Sequence, residues 1–287
     1  MTEIDVRNND QAMAWNGLTG QRWVERQAIM DTLLAPVSTA LFGALDLAPG
    51  SRVLDIGCGS GDTSFALARR VGANGHVTGL DISAPLLARA RRRAPAAAPV
   101  SFVEGDATVH PFEPGASDLL FSRFGVMFFA DPARSFANMR KGLRARATVT
   151  FACWREVKRN PWVLVPMQAA QKTLPAPPAA APVEPEAPGP YSFASEQRVA
   201  RILGEAGFTE VSLSPVEVTL DVSTGDGVEG ALALALVLGP SSRLLEKQSD
   251  VVRSTAADLI RDALAPYVKG DAIPMDGSMW IVTARNP

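Results

Sequence analysis

Between Arg52 and Trp154, short apolar runs alternate with segments whose apolar residues recur at helical spacing. Arg52 to Ile56, His76 to Leu80, Pro99 to Glu104, Ser117 to Ser122 and Ala147 to Trp154 read as buried parallel strands. Asp62 to Val71, the stretch from Ser83 to Arg93, and Asp131-Pro132 to Gly142 read as the helices between them. Ser83 is a good N-cap there, and Pro85 suits a first helical turn. Such an alternation predicts an α/β chain with a doubly wound sheet and right-handed crossovers. Ahead of it, Ile29, Leu33, Leu34, Val37 and Leu41 recur at helical spacing within Val24 to Leu45, and Pro36 is expected to break or kink that run.

Beyond Trp154 the rhythm breaks. Leu174 to Pro190 is rich in Pro and Ala and reads as an extended loop or flap. Ser195 to Ala206 is helical and stops at Gly207, and Phe208 to Leu220 alternates as a strand. Gly227 to Val268 reads as two or more helices joined at Gly239-Pro240, and Met279 to Ala284 closes the sheet. The expected architecture is a seven-stranded, mostly parallel sheet with helical caps inserted after the fifth and sixth strands. Residues 1–45 form a helical leader or lid, and 46–287 the main domain with added segments at 155–194 and 223–270.

Composition narrows the classes. With 28 Lys+Arg against 30 Asp+Glu, the net charge of -2 is no footprint for nucleic acid. Arg89, Arg91, Arg92 and Arg93 sit at the end of a predicted helix, where they offset its dipole. Two cysteines, Cys58 and Cys153, build neither a disulfide framework nor a thiolate metal cage, so no metal is expected. The acidic start Met1-Thr2-Glu3-Ile4-Asp5 is unlike a signal peptide, and the longest apolar run, Ala231 to Leu238, is too short to span a bilayer. A cytoplasmic location is the expectation. A homodimer through the added helices is left open.

The first strand ends at Asp55-Ile56 and runs into Gly57-Cys58-Gly59-Ser60-Gly61, with glycine at alternate positions. Such a loop turns sharply and leaves backbone N–H groups bare to a ligand. In open α/β sheets that ligand lies beyond the carboxyl ends of the strands. Asp55, Asp81, Asp106 and Ser122 stand at those ends. Asp81 suits two ribose hydroxyls and Asp106 an adenine amino group, which points to an adenosine. A dinucleotide would need Gly-x-Gly-x-x-Gly and a pyrophosphate at the helix start, where Asp62 would repel it. An adenosine carrying a sulfonium and an ammonium, S-adenosylmethionine, fits three carboxylates better.

Asp55-Ile56-Gly57-Cys58-Gly59-Ser60-Gly61, Gly79-Leu80-Asp81-Ile82-Ser83 and Glu104-Gly105-Asp106-Ala107 resemble the successive signatures of class I S-adenosylmethionine-dependent methyltransferases. Within that Rossmann-like family, Ser117 to Phe129 resembles the ubiquinone/menaquinone C-methyltransferase branch. The likeness is strong over residues 50–155, and looser over 195–220 and 275–285. It implies methyl transfer to O, C or N of a small molecule, releasing S-adenosylhomocysteine. It further implies Gly57, Cys58 and Gly59 at the methionine, Asp81 and Ile82 at ribose and adenine, Asp106 and Ala107 at adenine, and Ser122 and Arg123 below the methionyl end. Trp15 and Trp23 are candidates to close over the cofactor, with a hydrophobic latch as the competing role. One departure is Leu143-Arg144-Ala145-Arg146-Ala147, where the family carries a Pro-Gly-Gly type turn.

Methyl transfer needs alignment and exclusion of water more than a base. His110 is the candidate for an acid–base role, against a surface-loop role that weighs more; His76 lies at the wrong end of the sheet. Phe124, Val126, Met127, Phe128, Phe129 and Trp154 form an aromatic, Met-rich rim, which points to a planar or lipophilic acceptor, with Met127 and Trp154 as its candidate contacts. The rival readings are an NAD(P)-dependent Rossmann oxidoreductase and a protein that binds S-adenosylmethionine for another activity.

Overall fold

In the computed structural model, which describes residues 3–175 and 186–287, four short helices lead into the sheet. They are α1 (Asn9–Asn16), α2 (Leu18–Glu25), α3 (Gln27–Leu33) and α4 (Ala35–Gly43). Pro36 does not kink a long helix but stands in the first turn of α4, where its missing N–H costs nothing. The segment around Trp15 and Trp23, read as a polar, glycine-bearing stretch, is itself helical. Gly20 is obligatory there, since a Cβ would overlap the Trp15 carbonyl oxygen at 1.9 Å.

β1 (Arg52–Ile56), α5 (Asp62–Val71), β2 (His76–Asp81), α6 (Ala84–Arg93), β3 (Val100–Glu104), β4 (Ser117–Arg123), α7 (Pro132–Lys141) and β5 (Leu143–Trp154) realise the expected alternation. Val53 to Ile56 are all buried, as befits a central strand covered on both faces. Then follow α8 (Pro161–Gln171), α9 (Glu196–Glu205), β6 (Thr209–Asp221), α10 (Gly227–Val237), α11 (Gly239–Leu245), α12 (Asp250–Leu264) and β7 (Pro274–Arg285). The seven strands lie in the order β3-β2-β1-β4-β5-β7-β6, with β1 to β5 parallel and β7 antiparallel to both its neighbours. The order reverses between β1 and β4, which opens a crevice at their carboxyl ends.

Two expectations shift. The fifth strand starts at Leu143 rather than Ala147, and its pairing with β4 slips between Ser117 and Leu119. Arg146 supplies the turn with a left-handed φ of 65°, and Asn286 pins it by donating from Nδ2 to the Leu143 and Arg144 carbonyls. Most of the Pro/Ala flap falls on residues 176–185, outside the described residues. The arginines of α6 are spent locally: Arg93 pairs with Asp31 at 2.6 Å, Arg89 donates to Gln27, and Arg91 to the Phe102 carbonyl.

Helices α8, α10, α11 and α12 pack on one another as a roof. Among the described residues no single helix is long and apolar enough to cross a membrane; α10 and α11 together qualify by composition but are bent by 64°. Asn160, fully buried, ties this roof to the sheet. Its Nδ2 donates to the Arg155, Glu156 and Ser278 carbonyls, and its Oδ1 accepts from the Ser278 N–H at 2.9 Å and the Trp162 indole. Asn160→Ala strands these groups without partners, so urea unfolding is expected to show a loss of about 2 kcal/mol.

Candidate small-molecule site

A cavity of about 370 Å³ lies over the crevice between β1 and β4. Gly57 and Gly59 form its floor, both in the left-handed region, with φ of 66° and 55°. A Cβ on Gly59 would meet nothing within 4 Å, so that peptide faces open space. Asp81 stands at the rim with each carboxylate oxygen accepting one backbone N–H: Oδ2 from Gly59 at 2.7 Å and Oδ1 from Ser83 at 2.8 Å. Burial pushes this carboxyl above the usual range, while the N–H groups of Ser83, Gly59 and Ile82 pull it back.

Of the residues singled out in the sequence, Trp15, Trp23, Gly57, Gly59, Asp81, Ile82, Asp106, Ala107, Arg123, Met127 and Trp154 line the cavity. Asp55, Cys58, Ser122 and His110 do not. Asp55 lies beneath the floor, wholly buried, with Oδ2 accepting from the Thr63 and Ser64 hydroxyls at 2.8 and 2.6 Å. Its Oδ1 has no partner among the described residues, and burial pushes the carboxyl up to about 6. The Cys58 thiol turns away toward Gly79, and burial pushes it well up. Ser122 is a support: its Oγ accepts from the Gly125 N–H at 3.1 Å. His110 packs edge-on against Phe112, at 4.8 Å between ring centroids, and burial lowers its pKa. His76 meets the Ser101 hydroxyl at the far end of the sheet.

Two electrostatic expectations change. Asp106 lines the cavity, but its carboxylate is filled: Oδ2 accepts from the Asp5 N–H, Oδ1 from the Thr108 N–H, and both from Asn8 Nδ2. It ties down the leader instead of waiting for a ligand. Asp62 is held by Arg123 at 2.8 Å, so it does not present a free negative charge to a phosphate. The lining carries Arg22, Arg123 and Arg243 against Asp81 and Asp106, so the hollow is not negative throughout.

The walls are aromatic. Trp15 meets Trp23 and Phe128 edge-on, at 6.0 and 5.3 Å between centroids. Phe124, a non-glycine with φ of 69°, stacks on Trp154 at 4.1 Å, and Trp162 tilts against Trp154. A bulky residue held in that conformation is a marker of a functional turn. The helical caps were expected, but not which of their residues face the cavity: Val163 and Pro166 of α8, Leu234 of α10, Leu238 after it, and Ser241 to Arg243 of α11 also line it, as does Tyr191. The one available signal was the run Ala231 to Leu238, apolar on every side, which marks a helix covered all round.

Residues 53–146 match the methyltransferase domain model. Over 102 residues the chain is 41% identical to the 2-phytyl-1,4-naphtoquinone methyltransferase of Trichormus variabilis, a match covering 34% of this chain and 44% of that protein. It thus spans less than half the length of that curated relative. Among solved structures, a phosphoethanolamine N-methyltransferase of Haemonchus contortus, bound to phosphomonomethylethanolamine and S-adenosylhomocysteine, superposes with a TM-score of 0.58 at 16% identity, over 99% of this chain and 61% of that one. The YcgJ protein of Bacillus subtilis does so with a TM-score of 0.55 at 13% identity, over 88% and 97%. The fold is therefore the Rossmann-like one these proteins share, and residues 53–146 are similar to the methyltransferase domain family.

Proposed function

We propose that the protein is an S-adenosylmethionine-dependent methyltransferase acting at O, C or N of a small aromatic or lipophilic molecule. The observation that carries this is the floor of the cavity: the Gly57 to Gly59 turn, open above Gly59, beside a rim carboxylate, Asp81. The N–H groups expected to be bare to a ligand are not: Gly57 donates to the Leu80 carbonyl at 2.8 Å and Gly59 to Asp81 at 2.7 Å, so the floor offers space rather than donors. The residues fit the cofactor. Asp81 accepts the ribose hydroxyls, and Ile82 and Ala107 flank the base. Gly57 and Gly59 leave room for the methionyl part, with Arg123 below it. The Asp55 carboxylate beneath the loop, with Oδ1 left without a partner among the described residues, favours a cation above it. Asp106 acts at one remove, by holding Asn8 and the leader in place.

When bound, the cofactor supplies a methyl group activated by a sulfonium. The protein's own part is alignment and dryness. Trp15 and Trp23 cover the cavity from the leader, and α8, α10 and α11 cover it from above. A dinucleotide is disfavoured on geometry: residues 60–63, which carry the N–H groups at the start of α5, do not line the cavity. This replaces the argument from Asp62. The cytoplasm is the compartment this reading takes, in keeping with two buried free thiols. A homodimer through α10 to α12 is an expectation that sedimentation checks.

Calorimetry is expected to give saturable binding of S-adenosylmethionine and none of NAD(H). Asp81→Ala is expected to weaken it about tenfold or more, because hydrogen bonds to a charged group are lost. Wild-type affinity in that variant, or preference for NAD(H), refutes the reading. Asp55 supplies a second check. Its carboxyl titrates near 6 in the fold against 3.8 for the unfolded reference, so the folded form binds the proton more tightly. The contribution of this group to stability is then fully present below pH 4 and is lost as pH rises through 6, by roughly 3 kcal/mol. Urea unfolding between pH 4 and 7.5 reads that slope, and Asp55→Asn is expected to flatten it.

A further inference from the structure

The three arginines of the cavity are not equivalent. Arg123 is held by Asp62 and by the Ser38 hydroxyl, at 2.8 and 2.6 Å. Arg22 faces Glu246 at 3.8 Å, across the gap between α2 and the end of α11. Arg243, on α11, has no carboxylate and no hydrogen-bond partner among the described residues. Both carboxylates of the lining stand at the ends of β2 and beyond β3, the side proposed for the nucleoside. Among the described lining residues, the roof side therefore carries a positive charge with no carboxylate facing it.

Tyr191 shares that side. Its backbone is fixed next to Met127, whose carbonyl accepts from the Gly189 N–H at 3.0 Å and the Ser192 hydroxyl at 2.6 Å. The Tyr191 ring lines the cavity, and its hydroxyl has no hydrogen-bond partner among the described residues. Burial pushes its pKa up, and the Arg243 charge pulls it partly back. A protonated phenol and a guanidinium are both donors, and both residues line the same cavity as Trp154, Trp162 and residues of α8 and α10, with Arg243 solvent-exposed.

We propose that the acceptor is a flat, apolar molecule bearing one acidic group, bound as its anion against Arg243 with Tyr191 donating to it. This rests on the methyltransferase reading and deepens it by naming the substrate class. A neutral lipophile would leave the Tyr191 hydroxyl without an acceptor, and a cation would meet repulsion from Arg243, since among the described lining residues the roof offers no carboxylate and Glu246 at the end of α11 faces Arg22.

The probes are 2-naphthoic acid and its uncharged isostere 2-naphthamide, titrated calorimetrically into the full chain with and without S-adenosylmethionine. The acid is expected to bind about tenfold more tightly than the amide. Arg243→Gln should bring the acid down to the amide's affinity and leave the amide unchanged, which also reports that the cavity is still formed. Equal binding of acid and amide to the wild type, no binding of either, or a preference that survives Arg243→Gln overturns the proposal. The two readings fail separately. Absence of S-adenosylmethionine binding with the acid preference intact sinks the donor assignment alone.

Discussion

Gly57 and Gly125 meet back to back where β1 and β4 end, and neither has room for a side chain. A Cβ on Gly57 would stand 2.7 Å from the Gly125 Cα, and one on Gly125 would stand 2.8 Å from the Gly57 Cα. This contact pins together the two loops that leave adjacent strands on either side of the order reversal. The Gly57 loop continues toward α5 and forms the floor. The other loop leaves Phe124 at a φ of 69° and carries its ring onto Trp154, which starts the aromatic wall. Floor and wall therefore share one backbone contact, and Ser122 holds it by accepting from the Gly125 N–H.

The two covers of the cavity are attached by different physics. The first part of the leader, through α1, is docked by directional polar contacts to the very strand ends that line the cavity, whereas α3 and α4 bury Met30, Leu33, Val37 and Leu41 in the core. Asn8 donates to Asp106 and Thr108, Asn16 donates to the Ile82 carbonyl and accepts from the Ala84 N–H, and the Ser83 hydroxyl donates to the Trp15 carbonyl. The roof is held instead by apolar packing and by Asn160 at its root. Hydrogen bonds fix position sharply, whereas apolar faces tolerate sliding. The leader is thus coupled to the loops after β2 and β3, and the roof can vary in sequence without disturbing them.

That difference explains what could be read from the chain. The strands and helices from Arg52 to Trp154 were legible because their signals are local: an apolar run, a cap such as Ser83 or Ser195, a glycine after a helix. The carboxylates at strand ends were legible as positions. Their partners were not. Asp106 is filled by Asn8 and Asp62 by Arg123, and nothing local ties residues 98 or 61 positions apart. The turn at Arg144 to Arg146 lacked the usual glycine, and an arginine at positive φ, clamped by Asn286, stands in for it. The lining residues of the roof escaped because α10 is apolar all round, so no periodicity says which face meets the cavity.

The expected uniformly negative hollow gives way to a divided one. Asp55 and Asp81 lie under and beside the glycine floor, while Arg243 and Tyr191 stand on the roof side. On the proposed function, a cationic donor settles over the carboxylates and an anionic acceptor settles against the guanidinium. Each is drawn to its own end, and a swap of ends costs like-charge contact at both. Once seated, the two ligands carry opposite charges across a space lined by indole, phenyl and aliphatic groups, where water's screening is weak and their attraction correspondingly strong. The apolar walls then do more than receive a greasy substrate: they make the donor and acceptor each other's best counter-ion, which favours the close approach that methyl transfer requires.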